Sequence, residues 1–227
     1  MSAMGDIDEI VDATAAPDWT HLVPKIVAIA LVLTATALVA VATGMLVQAI
    51  KGYTHFELAG YALWFVLPMV IQALQLAVLS VFVQVLVPQK FIGWGVMLLQ
   101  VVATVALASA GFEHNLYNFA GAPIAPYSDM NGFGHYLTGW AWFSGYWALF
   151  TLLLLMAASA LWARGQVGTL RERGRLAAQK LRGPLGMAMA AVTLAWVAAG
   201  GYIFYNTNVL NTYTPSDEQL DLQARYE

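Results

Sequence analysis

Long uncharged runs alternate with short polar stretches along the chain, and the run lengths predict the architecture. Ile26 to Ile50 is 25 residues without a charge, closed by Lys25 and Lys51, more than the roughly 20 an α-helix needs to span about 30 Å of hydrocarbon. Between Glu57 and Lys90 lie 32 uncharged residues, so the second span should tilt, kink at Pro68, or open with an interfacial stretch near Tyr61 and Trp64. A third run, Phe91 to Phe112, follows after only Pro88-Gln89-Lys90, a connection that fits a tight helical hairpin and predicts antiparallel neighbours. Tyr136 to Ala163 and Leu185 to Phe204 complete the set. The predicted fold is all-α: a polytopic transmembrane helical bundle of about five spans (26–50, 58–87, 91–112, 136–163 and 185–204), forming one membrane domain over 25–205.

Polar ends flank that domain. Residues 1–24 carry Asp6, Asp8, Glu9, Asp12 and Asp18 without a Lys or Arg, which is unlike the basic start of a secretory signal peptide and predicts a polar arm. Residues 206–227 read as a polar tail. Within it, Thr214-Pro215-Ser216-Asp217-Glu218-Gln219 resembles a helix start, so the reading expects a longer parent polypeptide and a further domain after the tail.

Composition agrees: 60% hydrophobic and 10% charged, against about 45–50% and about 25% for a soluble domain. The absence of cysteine excludes disulfides, thiolate metal sites and cysteine nucleophiles. Basic residues resist translocation and accumulate on the cytoplasmic side. With five spans and a cytoplasmic N-terminus, eight of the ten fall inside: Lys25, Lys90, Arg164, Arg171, Arg173, Arg175, Lys180 and Arg182. Loop 113–135 and the tail then lie outside.

Candidate chemistry concentrates in two places. Loop 113–135 and the neighbouring 51–57 turn hold His55, Glu57, Glu113, His114, Asp129 and His135, ligand types suited to zinc or manganese but without the spacing of a metal motif. Capping of helix ends and bonding of loop backbone is the plainer reading. The loop is also rich in rings, with Phe112, Tyr117, Phe119, Tyr127 and Phe133, so it should fold back onto the membrane surface as a gate, a docking surface or a plug. Span four repeats Tyr136, Trp140, Phe143, Trp147 and Phe150 on one face, an aromatic stripe suited to an interfacial belt and packing. Thr36, Ala40 and Gly44 in span one, and Ala191, Ala195 and Ala199 in span five, predict close helix contacts. Gln72 and Gln75 share a face of span two and suit interhelical bonding.

The second place is the basic segment 164–182, a short amphipathic helix in prospect, with Arg164, Arg171, Arg173, Arg175, Lys180 and Arg182. Anionic lipid or a docking cytosolic protein would suit it. Neither a phosphate-binding loop nor H-E-x-x-H occurs, so ATP hydrolysis and thermolysin-like proteolysis have no centre in this chain.

The runs Glu113-His114-Asn115-Leu116-Tyr117 and Ala125-Pro126-Tyr127-Ser128-Asp129-Met130-Asn131-Gly132, with Tyr205-Asn206-Thr207-Asn208-Val209-Leu210-Asn211, resemble segments of large bacterial proteins. Those proteins join an ABC-type permease region to a zinc aminopeptidase domain of the aminopeptidase N class. The resemblance covers roughly residues 88–227. It implies the membrane half of an exporter working with a separate ABC ATPase subunit, or an anchor for an external peptidase whose zinc ligands would lie beyond this chain. Glu113, His114, Asn115, Tyr117, Tyr127, Asp129, Asn131 and His135 are the loop candidates. No catalytic residue, cofactor or metal is assigned within the chain. The expected partners are the lipid bilayer and the ATPase, with self-association left open and no nucleic acid.

Overall fold

The computed structural model describes residues 19–87, 89–123, 132, 134, 136–162, 170–211, 213–215, 218, 221, 224 and 225. Regular structure among them is helical. The elements are α1 (Trp19–Ile50), α2 (Leu58–Tyr61), a π-helical turn (Ala62–Val66), α3 (Leu67–Leu86), α4 (Lys90–Ser109), α5 (Tyr136–Leu161), α6 (Leu170–Lys180), α7 (Pro184–Phe204) and a second π-helical stretch (Tyr205–Leu210). Among the described residues five stretches are long and apolar enough to cross a membrane: Val23–Ile50, Leu58–Leu86, Phe91–Ser109, Tyr136–Leu161 and Pro184–Leu210. Mid-span residues such as Leu31, Leu99 and Leu194 leave about two thirds or more of their surface open. A bilayer, unlike water, imposes no hydrophobic penalty on that exposure.

Two spans show local features with a physical reason, one inside the second span and one at the end of the fifth. The second span opens through the π-helical turn before Pro68. Proline has no N–H to return to the carbonyl four residues back, and the wider turn takes up the slack where a tilt, a kink or an interfacial stretch was expected. The fifth span continues past Phe204 to Leu210, so the first residues of the expected tail are helical. There, Asn206 Nδ2 donates to the Tyr202 carbonyl at 2.8 Å, Thr207 Oγ1 to Ile203 at 2.8 Å and Asn208 Nδ2 to Phe204 at 3.3 Å. Side chains competing for the backbone acceptors accompany the wider π-helical turns. At the other end α1 is already helical from Trp19, inside the expected arm, whose residues 1–18 lie outside the described residues.

The chain forms two compact units: residues 1–86 with 154–187, and residues 87–153 with 188–227. In the first, α1 packs against α3 and the π-helical turn. The contact face of α1 runs Ile26, Ala30, Leu33, Ala37, Val41, Met45 and Gln48, with Ala37 fully buried. Gln48 Oε1 accepts a 2.6 Å bond from the Tyr61 hydroxyl. Thr36, Ala40 and Gly44 are exposed on another face, and an added Cβ on Gly44 would meet nothing within 4 Å. The small-residue pattern therefore does not mark the contact within the chain. Gln75 is buried in α3. Trp162 lies under the Lys25 ammonium, 5.1 Å from its ring centre.

In the second unit, α7 meets α5 through aromatic rings. Trp196 stacks on Tyr146 with centroids 5.5 Å apart, and Tyr202 lies 4.3 Å from Trp142. Gly200 lets the backbone approach, since a Cβ there would stand 3.0 Å from the Tyr146 ring. Ala191 and Ala195 point outward, while Ala199 is half-buried and lines a cavity with Trp142 and Tyr146 of α5, so only the end of the alanine repeat lies on the face used.

Candidate functional site

Loop 112–123 closes over the aromatic stripe of α5. It begins with a helix stop: Gly111, at φ +88°, donates to the Ala108 carbonyl at 3.1 Å, and the Phe112 N–H donates to Leu107 at 2.9 Å. This paired pattern, which favours glycine for its left-handed φ, turns the chain off the helix axis. Two tight turns follow, Tyr117 N–H to the His114 carbonyl at 2.9 Å and Gly121 N–H to Asn118 at 2.8 Å. Buried Ala120 takes φ +61°, a strained conformation for a residue with a Cβ. Pro123 then lies against Gly139 in the first turns of α5.

The stripe underneath is what holds the loop. The Trp147 indole N–H donates to the Asn115 carbonyl at 3.1 Å. Phe119 sits edge-on to Trp147 at 5.3 Å and to Phe150 at 5.9 Å. Phe143 and Trp147 are buried, so the stripe packs the loop rather than lining an open surface.

His114 is the polar centre of this assembly, with 7% of its surface exposed. Its ring lies 4.8 Å from Tyr213, 5.8 Å from Phe143 and 6.0 Å from Tyr117. The Leu116 N–H approaches Nδ1 at 3.2 Å, which makes Nδ1 an acceptor. Nε2 lies 3.2 Å from Thr207 Oγ1. That hydroxyl donates to the Ile203 carbonyl and accepts from Asn208 Nδ2 at 2.8 Å, so the bond to His114 needs the proton on Nε2. The neutral Nε2–H tautomer satisfies both ring nitrogens.

Protonation would set an Nδ1–H against the Leu116 N–H. An unsatisfied buried donor costs about 1–3 kcal/mol, against about 0.5–2 kcal/mol for a cation beside aromatic rings. Burial accordingly lowers the His114 pKa from its ordinary 6.5. The Tyr213 hydroxyl is pushed above its ordinary 10, by burial first and by the Glu113 charge second.

The other loop candidates divide. Asn115 contributes its carbonyl to Trp147, Glu113 is half-buried, and Tyr117 is exposed with its ring edge-on to Phe112 at 5.9 Å. Tyr127, Asp129, Asn131 and His135 lie outside the described residues. Glu113 and His114 belong to one unit, His55 and Glu57 to the other. Among the described residues no group of three His, Asp or Glu side chains is placed to hold a metal ion. Sequence reading missed Thr207 and Tyr213 as partners of His114, because nothing local marks a pairing across 93 positions.

The basic segment is a second site, within the first unit. Helix α6 is docked by its own cations: Arg173 donates to the Val85 carbonyl at 2.8 Å and Lys180 to Ser159 at 3.3 Å, with Ala177 buried between. Positions 173, 177 and 180 share one face of α6, and 171 and 175 fall on the opposite one, with 182 in the turn that follows the helix. Arg171, Arg175 and Arg182 are exposed there, flanked by exposed Leu176 and Leu181. Arg164 lies outside the described residues.

No family model matches the chain, and neither a curated protein nor a solved structure is found to match it. What the helices themselves define is an all-α, multi-pass membrane protein, with five spans among the described residues. It carries an aromatic loop clamped to the end of the last span and a docked basic helix between the last two.

Proposed function

We propose that this chain is the permease-like membrane domain of an ABC-type exporter, with its N-terminus in the cytoplasm and loop 113–135 outside a bacterial inner membrane. The observation that carries the reading is α6, a helix between two spans that is bonded inward to Val85 and Ser159 and presents Arg171 and Arg175 away from those bonds, with Arg182 exposed in the turn that follows. A helix tied to span ends transmits a push to them, and a face of exposed guanidinium groups suits an acidic surface on a separate ATPase subunit. The excess of basic residues on that side and the resemblance of the 113–117 and 205–211 segments support the same assignment.

The test is reconstitution with the ATPase subunit in proteoliposomes. ATP hydrolysis should rise when the wild-type chain is present, and the triple variant Arg171→Glu/Arg175→Glu/Arg182→Glu should abolish the rise while leaving the chain folded. A complex without nucleotide-dependent activity overturns the proposal.

A second reading is favoured by the bond between His114 and Thr207. It joins two of the segments that carry the resemblance and stiffens the exit of the last span. That is what an anchor for an external aminopeptidase domain would need, and in that case a peptidase domain joined to the tail would work without nucleotide.

A further inference from the structure

The side of α5 opposite its aromatic stripe carries a groove. Ala141, Gly145, Ala148 and Leu152 recur at steps of four, three and four, so they share one face, about half a turn away from buried Phe143 and Trp147. Together with Tyr146 and with Ala199 of α7 they line a cavity of about 500 Å³. Ala141, Gly145, Ala148 and Leu152 are exposed, which places the opening on the lipid side of the helix pair. An added Cβ on Gly145 would meet nothing within 4 Å, so among the described residues no contact calls for a glycine there. Glycine costs a helix interior about 1 kcal/mol against alanine, and at this position it deepens the groove.

Depth and width select the occupant. Trp142, which lines the groove and lies 4.3 Å from the Tyr202 ring, is about 9 Å along the axis from the start of α5, the level of an interfacial aromatic belt. From there the groove runs inward to Leu152, about 16 Å from Ala141 along the helix. Its lining side chains are apolar but for the Trp142 N–H and the Tyr146 hydroxyl, so water gains little there, and an empty groove forfeits dispersion contacts. A volume of about 500 Å³ over about 16 Å leaves about 30 Å² of cross-section. A helix of a second copy, about 10–12 Å across with its side chains, is too wide for that. A single methylene chain, with carbon contacts at about 3.5–4.0 Å, fits.

We propose that the groove between α5 and α7 holds one acyl chain of a phospholipid from the leaflet on the side of loop 113–135, with the headgroup end of that chain at Trp142 and Tyr202. The lipid stays with the helix pair instead of exchanging freely with the bilayer. The site is independent of whether the chain transports or anchors, because it rests only on the shape and depth of the groove.

The test uses the full chain in nanodiscs of phosphatidylcholine with a photoreactive diazirine near the end of one acyl chain. After illumination, adducts mapped by peptide mass spectrometry should concentrate on 145–152. Their yield should exceed that at the exposed mid-span residues Leu31 and Leu99 by about five- to tenfold, as a preference of about 1–1.4 kcal/mol gives. Gly145→Leu/Ala148→Leu fills the groove and should bring the yield down to the Leu31 and Leu99 level. Ala195→Leu, at an exposed position of α7 that does not line the groove, should leave it unchanged. Native mass spectrometry from detergent should find one phospholipid on the unsubstituted chain and none on the filled variant. Adducts spread evenly over the exposed faces of the spans overturn the proposal, as does a filled variant that keeps its lipid. A groove that gives no lipid adducts but cross-links to a second copy overturns it in favour of a protein partner. Should the filled variant not fold, the adduct map of the unsubstituted chain decides alone.

Discussion

The indole N–H of Trp147 and the carbonyl of Asn115 stand 3.1 Å apart and join the middle of a membrane span to a loop 32 residues earlier. The bond answers two needs at once. A buried Trp N–H requires an acceptor, and a loop carbonyl pressed against apolar rings requires a donor. Phe119 completes the contact by packing across Trp147 and Phe150.

Replacing Trp147 therefore separates packing from hydrogen bonding. Trp147→Phe keeps most of the ring and leaves the Asn115 carbonyl bare, at a cost of about 1–2 kcal/mol. Trp147→Ala also opens a cavity and costs about 3–5 kcal/mol. Unfolding in detergent should rank wild type above Phe and Phe above Ala, with the amides of 114–121 exchanging faster in both variants.

Acid should weaken the loop. The folded His114 pKa lies below the ordinary 6.5, so between those two values the unfolded chain binds the extra proton. Stability from this group is complete above pH 6.5, falls as pH drops toward the folded pKa, and levels off below it. Tyr213 acts at the other extreme, because its raised pKa keeps its contribution whole below pH 10 and removes it as pH climbs further. Melting curves recorded against pH should show the acid slope, and His114→Phe should flatten it.

Helix α6 should loosen when its inward cation is removed. Arg173→Met deletes the bond to Val85 and should raise local opening of α6 by about 5–30-fold, the equivalent of about 1–2 kcal/mol. Hydrogen exchange over 170–180 measures this. Arg175→Gln, on the exposed face, should change exchange by less than about twofold.

Two glycines should respond in opposite directions. In Gly121→Ala the new Cβ would stand 2.8 Å from the Asn118 carbonyl oxygen, forcing the turn to move at a cost of about 1–3 kcal/mol. Gly44→Ala meets nothing within 4 Å and should gain about 0.5–1 kcal/mol from the stiffer unfolded chain. A large loss at Gly44 would show that its face is packed after all.

Much of the fold was legible before any coordinates. A span announces itself by length and lack of charge, which are properties of contiguous residues, and five apolar helices stand where spans were expected, the fifth running on from Phe204 to Leu210. The π-helical turns themselves were not readable: one precedes Pro68, which lacks a donor, and one holds Asn206–Asn208, whose side chains compete for backbone acceptors. The aromatic stripe of α5 was also readable, because a four-and-three spacing puts its rings on one face whatever they touch.

Helix faces were not readable in the same way. Thr36, Ala40 and Gly44 have the spacing of a contact, yet α1 packs through Ala30, Ala37 and Val41 instead. In a bilayer, lipid and protein neighbours are equally apolar, so composition does not say which side of a helix meets which.

By itself, then, the sequence determined that the chain is helical, where it crosses the membrane, and that its loop and its basic segment are unlike the rest. Tertiary structure alone decided that His114 pairs with Thr207 and lies against Tyr213 and Phe143, and that Arg173 turns inward while Arg171 and Arg175 turn out. The physical reason is range. Burial in lipid is summed along a continuous stretch of chain, whereas a hydrogen bond depends on two groups brought within about 3 Å, and which two they are follows from how every helix between them packs.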